Sequence, residues 1–265
     1  MSTDGRLGAA AARDIGDALR FFTRLPLARA DGAPLEMNRI AWAAPVAGGI
    51  VGLVGVAALA ATQVLGLPRL FSAGLATAAL VAVTGALHED GLADTADGFG
   101  GAATRDRKLE IMRDSRIGVF GAVALALSVL IRVGALAAAL KGGFWNAAGA
   151  LIVVAALSRA AVLMPLAALD PARADGAGAA AGRLDPGAFA ASCGAALVIA
   201  VTAGILATGL WRALAAAVAS AIGAAAMTAL ARRQIGGQTG DVAGAAQQWA
   251  EIGAWCGLLI GQSET

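Results

Sequence analysis

Charge is scarce in this chain: only 14% of its 265 residues are Asp, Glu, Lys or Arg, where soluble globular domains carry about a quarter. With 58% hydrophobic residues and a mean hydropathy of +0.74, that scarcity excludes an ordinary soluble domain and predicts a polytopic membrane protein. Cysteine is nearly absent. Cys193 and Cys256 both fall in apolar runs, which excludes a disulfide framework and a zinc site. No signal peptide is evident, because a polar, Arg-rich stretch precedes the first apolar run. No internal repeat is strong enough to suggest an inverted-repeat transporter, and no Gly-Lys-Ser/Thr string is present to form a Walker A loop.

What is abundant is apolar sequence in runs long enough to cross a bilayer. Seven such runs stand out, at about 40–66, 70–88, 118–140, 146–169, 188–210, 212–231 and 245–262, the last interrupted by Gln247, Gln248 and Glu251. The expected fold is an all-α, polytopic membrane helical bundle of about seven transmembrane helices, its active site on the cytoplasmic side. Residues 1–39 form a cytoplasmic N-terminal segment and 40–265 a transmembrane catalytic domain. If the N-terminus is cytoplasmic, 15 of the 20 Lys and Arg residues fall in inside segments and three (Arg69, Lys141, Arg212) outside; this asymmetry fixes the orientation. Arg132 and Arg159 lie within runs. Arg132 is near an end and free to snorkel, whereas Arg159 is positioned to pair with Glu251. Residues 13–25 read as an amphipathic helix, with Ile15, Ala18, Leu19, Phe22 and Leu25 on one face. Such a helix lies along the membrane surface or packs on the cytoplasmic loops. Trp42, Trp145 and Trp211 start apolar runs, as interfacial anchors do, and the Ala/Gly-rich strings let helices approach closely.

Against this background, Glu89, Asp90, Asp94 and Asp97 place four carboxylates within nine residues. Carboxylates at that density repel one another unless a cation sits among them. Asp90, Asp94 and Asp97 are spaced i, i+4, i+7, so on a helix they share one face and suit a hard divalent metal. The segment continues through Lys108, Arg113, Asp114 and Arg116. Acid followed by base is what metal-dependent phosphoryl transfer needs: carboxylates for magnesium, Lys and Arg for phosphate oxygens. Asp90-Gly91 and Asp97-Gly98 add backbone freedom near a diphosphate. His88, the one histidine, suits a general base near neutral pH and equally a hydrogen bond that orients a carboxylate.

A second polar segment, Arg232 to Ala245, offers Gly236-Gly237 as flexible backbone, the Thr239 hydroxyl and the Asp241 carboxylate on the same side. A third, Asp170 to Gly178, carries Arg173 in a Gly and Pro setting and on its own reads as a solvated turn.

The strings His88-Glu-Asp-Gly-Leu-Ala-Asp-Thr-Ala-Asp-Gly98, Arg107-Lys-Leu-Glu-Ile-Met-Arg-Asp-Ser-Arg-Ile-Gly118 and Gly236-Gly-Gln-Thr-Gly-Asp241 resemble those of the cobalamin synthase (adenosylcobinamide-GDP ribazoletransferase) family. Phe21-Phe-Thr-Arg-Leu-Pro26 and Ala172-Arg-Ala-Asp-Gly176 extend the likeness over essentially the whole chain. Val119, where the family pattern has Thr, is a departure that leaves the carboxylates untouched. The resemblance implies a magnesium-dependent enzyme of the bacterial inner membrane that joins adenosylcobinamide-GDP to alpha-ribazole or its 5'-phosphate and releases GMP. It implies Asp90, Asp94 and Asp97 as metal ligands, Glu89 as a fourth ligand or base, and Asp114 and Asp241 completing the metal site or orienting the hydroxyl. Lys108, Arg113, Arg116 and Arg173, with Gly236, Gly237 and Thr239, would hold substrate. Partners would be these small molecules and membrane lipid, without nucleic acid; a homo-oligomer is compatible with the sequence. Two rivals remain. A CDP-alcohol phosphotransferase also clusters Asp on membrane helices, but its Asp-Gly-x-x-Ala-Arg string would need Ala in place of Asp94 and Arg in place of Thr95. A cation transporter would place its acids near the bilayer midplane.

Overall fold

The computed structural model describes residues 3–27 and 35–261, and no β-strand occurs among them beyond one isolated bridge between Pro171 and Gln238. The chain is an all-α polytopic membrane protein. Its helices are α1 (Thr3–Phe22), α2 (Met37–Ile40), α3 (Ala44–Val64), α4 (Arg69–Thr84), α5 (Leu87–Gly101), α6 (Arg105–Ile111), α7 (Val119–Ala139), α8 (Phe144–Ala161), α9 (Met164–Ala168), α10 (Gly176–Ala181), α11 (Pro186–Ala203), α12 (Leu210–Ile235) and α13 (Gly240–Leu259).

Five helical stretches are long and apolar enough to span a membrane: Met37–Val64, Val119–Gly142, Phe144–Ala168, Pro186–Thr208 and Leu210–Ile235. A sixth arises only if α4 and α5, which meet at 88°, are taken as one broken span. Two of the seven expected runs therefore differ in kind. The run at 70–88 breaks at Gly85 and Ala86, whose φ values of 64° and 57° are left-handed. Ala86 is the one non-glycine residue with positive φ among those described; that conformation crowds its Cβ, so the break is held by its surroundings. The run at 245–262 falls on α13, whose polar residues Gln247, Gln248 and Glu251 are buried within the bundle.

The centre of the bundle is α8, 83% of whose most apolar window is buried, against 22% for α11 on the periphery. Close approach rests on missing side chains. A Cβ on Gly52 of α3 would stand 3.0 Å from the α8 backbone, and one on Gly253 or Gly257 of α13 would run into the α12 backbone. Dispersion between closely packed small residues drives helix association in lipid, where the hydrophobic effect supplies nothing between helices. Trp145 and Trp211 are exposed at the starts of α8 and α12, as interfacial anchors are.

The amphipathic segment at 13–25 is the second half of α1, which ends at Phe22 and packs on the bundle. Ala18 and Phe22 are buried. Asp14 accepts from Trp42 Nε1 at 3.1 Å, and Asp17 pairs with both Arg20 and Arg39.

Candidate active site

The acidic string forms helix α5, so the i, i+4, i+7 spacing acts as expected for the first two of its positions. Asp90 is exposed and Asp94 half-buried, one turn apart. Asp241, in the first turn of α13, completes the group, because α13 and α5 cross almost backbone to backbone. A Cβ on Gly91 would sit 2.7 Å from the Asp241 carbonyl oxygen and 3.2 Å from Gly244 Cα. Gly91 and Gly98 thus serve helix packing rather than approach to a diphosphate: a Cβ on Gly98 would meet the Lys108 carbonyl oxygen at 3.0 Å.

Burial and neighbouring charge act together on these acids. Burial, then the neighbouring carboxylates of Asp90, Asp241 and Asp97, push Asp94 up to about 7, against the opposing pull of Arg173. Asp241 is also raised, chiefly by burial, with Arg173 and the Thr239 hydroxyl pulling the other way. Both shifts belong to helices outside the five spanning stretches. Arg173 donates from Nη2 to Asp241 at 3.3 Å, while its Nη1 is buried without a partner. A guanidinium facing carboxylates with one nitrogen unanswered is suited to a further anion.

The other two acids of the string turn elsewhere. Asp97 is buried and accepts from the backbone N–H groups of Gly118 at 2.7 Å and Gly121 at 2.8 Å, which caps the start of α7 from outside that helix. Glu89 is buried in the opposite direction, with its carboxylate on Arg132 Nη1 at 2.7 Å and Gln248 Nε2 at 3.3 Å. This is a sizeable network. Arg132 Nε also donates to Glu251 at 2.8 Å, Gln247 donates to Glu251 at 2.7 Å and to Ser158 at 3.0 Å, and Ser128 donates to Gln248 at 2.6 Å. Arg159 and Glu251 pair at 3.9 Å as their sequence positions suggest, but Arg132 does not snorkel: it is 4% exposed and bridges two carboxylates. The signal for the rest of this network is Gln247 and Gln248 beside Glu251 on one helix, which in the sequence register as an interruption of an apolar run.

The basic half is dispersed. Lys108 is buried and donates to Gln234, Arg113 pairs with Asp175, and Arg116 pairs with Asp114 in the open, at 2.6 Å. The Arg116 hydrogen bonds hold the Asp114 carboxyl down at about 2. Of the expected phosphate-binding cations, Arg173 is the one placed among the carboxylates.

The Gly-rich turn explains how Asp241 arrives there. Gly236 ends α12 with φ 70°, and Gly237 passes so close to Asp170 that a Cβ would lie 2.6 Å from its carbonyl oxygen. Backbone bonds Ala172 N to Gln238 O at 2.8 Å and Gln238 N to Asp170 O at 2.9 Å then lock the turn beside Arg173. Thr239 caps α13, its hydroxyl oxygen accepting from Val242 N at 3.2 Å. His88, fully buried, stacks near Phe22 at 6.0 Å and leaves Nε2 without a partner.

Asp90, Asp94 and Asp241 are hard oxygen donors whose mutual repulsion a divalent cation would relieve, so the donor set fits magnesium. Among the described residues, no group of three or more His, Cys, Asp or Glu side chains is arranged so that it could hold a metal ion, so the fit is one of donor chemistry.

Residues 14–259 match the model of a family described as cobalamin-5-phosphate synthase. An adenosylcobinamide-GDP ribazoletransferase of Azorhizobium caulinodans is 54% identical, over 93% of this chain and 95% of its own length. Relatives of the same name from Xanthobacter autotrophicus and Mesorhizobium japonicum are 48% and 46% identical, over 94% and 90% of this chain and 96% and 90% of their own. No solved structure matches.

Proposed function

The chain belongs to the cobalamin-5-phosphate synthase family, and from that membership we propose that it joins adenosylcobinamide-GDP to alpha-ribazole, or to alpha-ribazole 5'-phosphate, with release of GMP. The observation that carries the reading is the meeting of Asp90, Asp94 and Asp241 with Arg173. In the reaction the ribose 3'-oxygen bonds to the phosphorus attached to cobinamide, and the bond from that phosphorus to the bridging oxygen breaks. The electron pair leaves with GMP, and the hydroxyl proton passes to a carboxylate of the same group.

Asp90, Asp94 and Asp241 would hold magnesium, which when bound neutralises charge on the diphosphate and on the departing GMP. Arg173, through its unanswered Nη1, would bind a phosphate oxygen. Asp97 and Glu89 fix the orientation of α5, one by capping α7 and the other through Arg132. Lys108, Arg113 and Arg116 are engaged by Gln234, Asp175 and Asp114 and support the polar connections around the site.

We place the protein in the bacterial inner membrane with a cytoplasmic N-terminus, on the strength of the basic-residue asymmetry. Two further features support one common face. Arg105 bonds to the carbonyls of Ile235 and Ala172, and Arg113 reaches Asp175, so the three polar connections lie together at one end of the bundle.

Purified protein should release GMP only when adenosylcobinamide-GDP, a ribazole acceptor and magnesium are all present. GMP release that does not depend on the acceptor, or alcohol transfer from a CDP-alcohol instead, would overturn the reading.

A further inference from the structure

Two clefts meet where the chain leaving the end of α1 passes the break between α4 and α5. The first is apolar, walled by Phe21, Phe22, Met37, Leu163 and Leu166, with His88 in its wall and Asp90 and Asp241 also lining it. His88 is 2% exposed and its Nε2 has no hydrogen-bond partner, an arrangement that is unfavourable unless something in the cleft answers it. The second is polar, walled by Thr23, Arg24, Thr84 and the left-handed Gly85-Ala86 turn. The hydroxyls of Thr23 and Thr84 are committed to the carbonyls of Leu19 and Leu80, and Arg20 is held by Asp17. Arg24 is different. Its backbone N–H is fixed on Val83 O at 2.7 Å, and its side chain lies across Gly85, where any Cβ would collide with it. It forms no ion pair among the described residues. The two clefts share Phe21, Leu87 and Asp90 as a common wall.

We propose that the joined clefts are the acceptor site, and that Arg24 makes the enzyme select a 5'-phosphorylated acceptor. The inference rests on the ribazole transfer proposed above. The order of chemistry along the clefts matches the order of groups in a nucleotide. A flat azole base lies among the phenylalanines, its free ring nitrogen accepting from His88 Nε2, the atom that otherwise has no partner. The ribose lies at Asp90, which brings its 3'-hydroxyl to the carboxylates. The 5'-phosphate reaches Arg24, whose planar fork supplies the two parallel donors a phosphate takes.

The test compares alpha-ribazole with alpha-ribazole 5'-phosphate on the purified full chain, reading GMP release. Arg24→Gln should lower the ratio of kcat/KM for the phosphorylated over the unphosphorylated acceptor at least tenfold. An unchanged ratio, with both values falling together, would mean that Arg24 only fastens α1 to α4, and the proposal fails. Should Arg24→Gln not fold, Arg24→Lys keeps the charge but loses the fork: a ratio lowered threefold or more supports the assignment, and an unchanged one overturns it. Ala181→Phe, which narrows the apolar cleft, should raise the acceptor KM about tenfold and the adenosylcobinamide-GDP KM less than threefold; the reverse pattern would put the other substrate there. Wild-type protein that released no GMP with either acceptor would strike down the transfer reaction itself, an outcome distinct from both.

Discussion

Arg132 of α7 donates to the carboxylate of Glu89 on α5 at 2.7 Å, and this bond ties the helix that carries Asp90 into the interior of the bundle. The same guanidinium holds Glu251 of α13 at 2.8 Å, so α5, α7 and α13 meet at one cation. Buried ion pairs are weak sources of net stability when intact, yet breaking one leaves an uncompensated charge.

Replacing Arg132 by Met should therefore destabilise the protein by about 3–5 kcal/mol, seen as a large drop in thermal midpoint in detergent. Glu89→Gln, which keeps shape and loses charge, should also lower the midpoint but leave the magnesium concentration for half-maximal activity within threefold. A large rise in that magnesium requirement for Glu89→Gln would make Glu89 a metal ligand after all.

Gly91 marks the closest approach of α5 to α13, with the Asp241 carbonyl oxygen 2.7 Å from where a Cβ would stand. Gly91→Ala must push the helices apart by some tenths of an ångström or more, moving Asp90 relative to Asp241. We expect at least a tenfold loss of kcat/KM, which is about 1.4 kcal/mol of transition-state stabilisation. Gly187→Ala, where a Cβ meets nothing, is the control, and equal activity in both variants would show that the crossing tolerates a methyl group.

Burial, then the surrounding carboxylates, push the Asp94 carboxyl up to about 7. Below that pH it keeps a proton that magnesium must displace, so apparent magnesium affinity should rise between about pH 5.5 and 7 and level off above. Asp94→Asn removes both the proton and the ligand. It should cost at least 100-fold in GMP release while leaving the thermal midpoint near wild type, and its residual magnesium response should be flat across that pH window. A wild-type pH dependence in Asp94→Asn would assign the titration to another group.

Orientation is open to direct labelling. In a background lacking Cys193 and Cys256, single cysteines at the exposed positions Ala103 and Ala177 should resist impermeant thiol reagents in intact cells, and those at Pro68 and Gly142 should react. Gln238, though it belongs to the same end, is fully buried and would report nothing. Reaction at Ala103 from outside would invert the proposed topology.

The membrane class was legible because hydropathy is a local property, and the i, i+4, i+7 spacing of Asp90, Asp94 and Asp97 in the acidic string marked a shared face on condition of a helix, which 87–101 forms. Roles within that string were not, since Glu89, Asp94 and Asp97 are equivalent in sequence and are separated only by what α7 and α13 bring to them: Arg132 for Glu89, the Gly118 and Gly121 amides for Asp97, and Asp241 with Arg173 for Asp94. The break at Gly85-Ala86 was hidden for a similar reason. An apolar run reads the same whether it continues or turns through 88°, and a left-handed Ala has no signature of its own. Arg173 sat in a turn with little to mark it, and the long-range pairing of Ala172 with Gln238 gives it its place.

Arg173 and Arg116 separate two views of how the diphosphate is held. Sequence spacing favours Arg116, which follows the carboxylate string on the same stretch of chain, but that side chain is 87% exposed and already bound to Asp114. Arg173 is 15% exposed, reaches Asp241 at 3.3 Å and keeps Nη1 buried without a partner. Exposed pairs contribute little and are screened by salt, whereas a largely buried guanidinium beside the Asp241 carboxylate acts in a lower dielectric, where a planar fork and a point charge are not interchangeable. Arg173→Lys should therefore lower kcat/KM at least tenfold, about 1.4 kcal/mol, and Arg116→Lys less than threefold, with GMP release at fixed magnesium as the readout. If Arg116→Lys proves the more damaging of the two, the loop that carries it must close over the substrate during turnover, and the Arg116–Asp114 pair belongs to the open form alone.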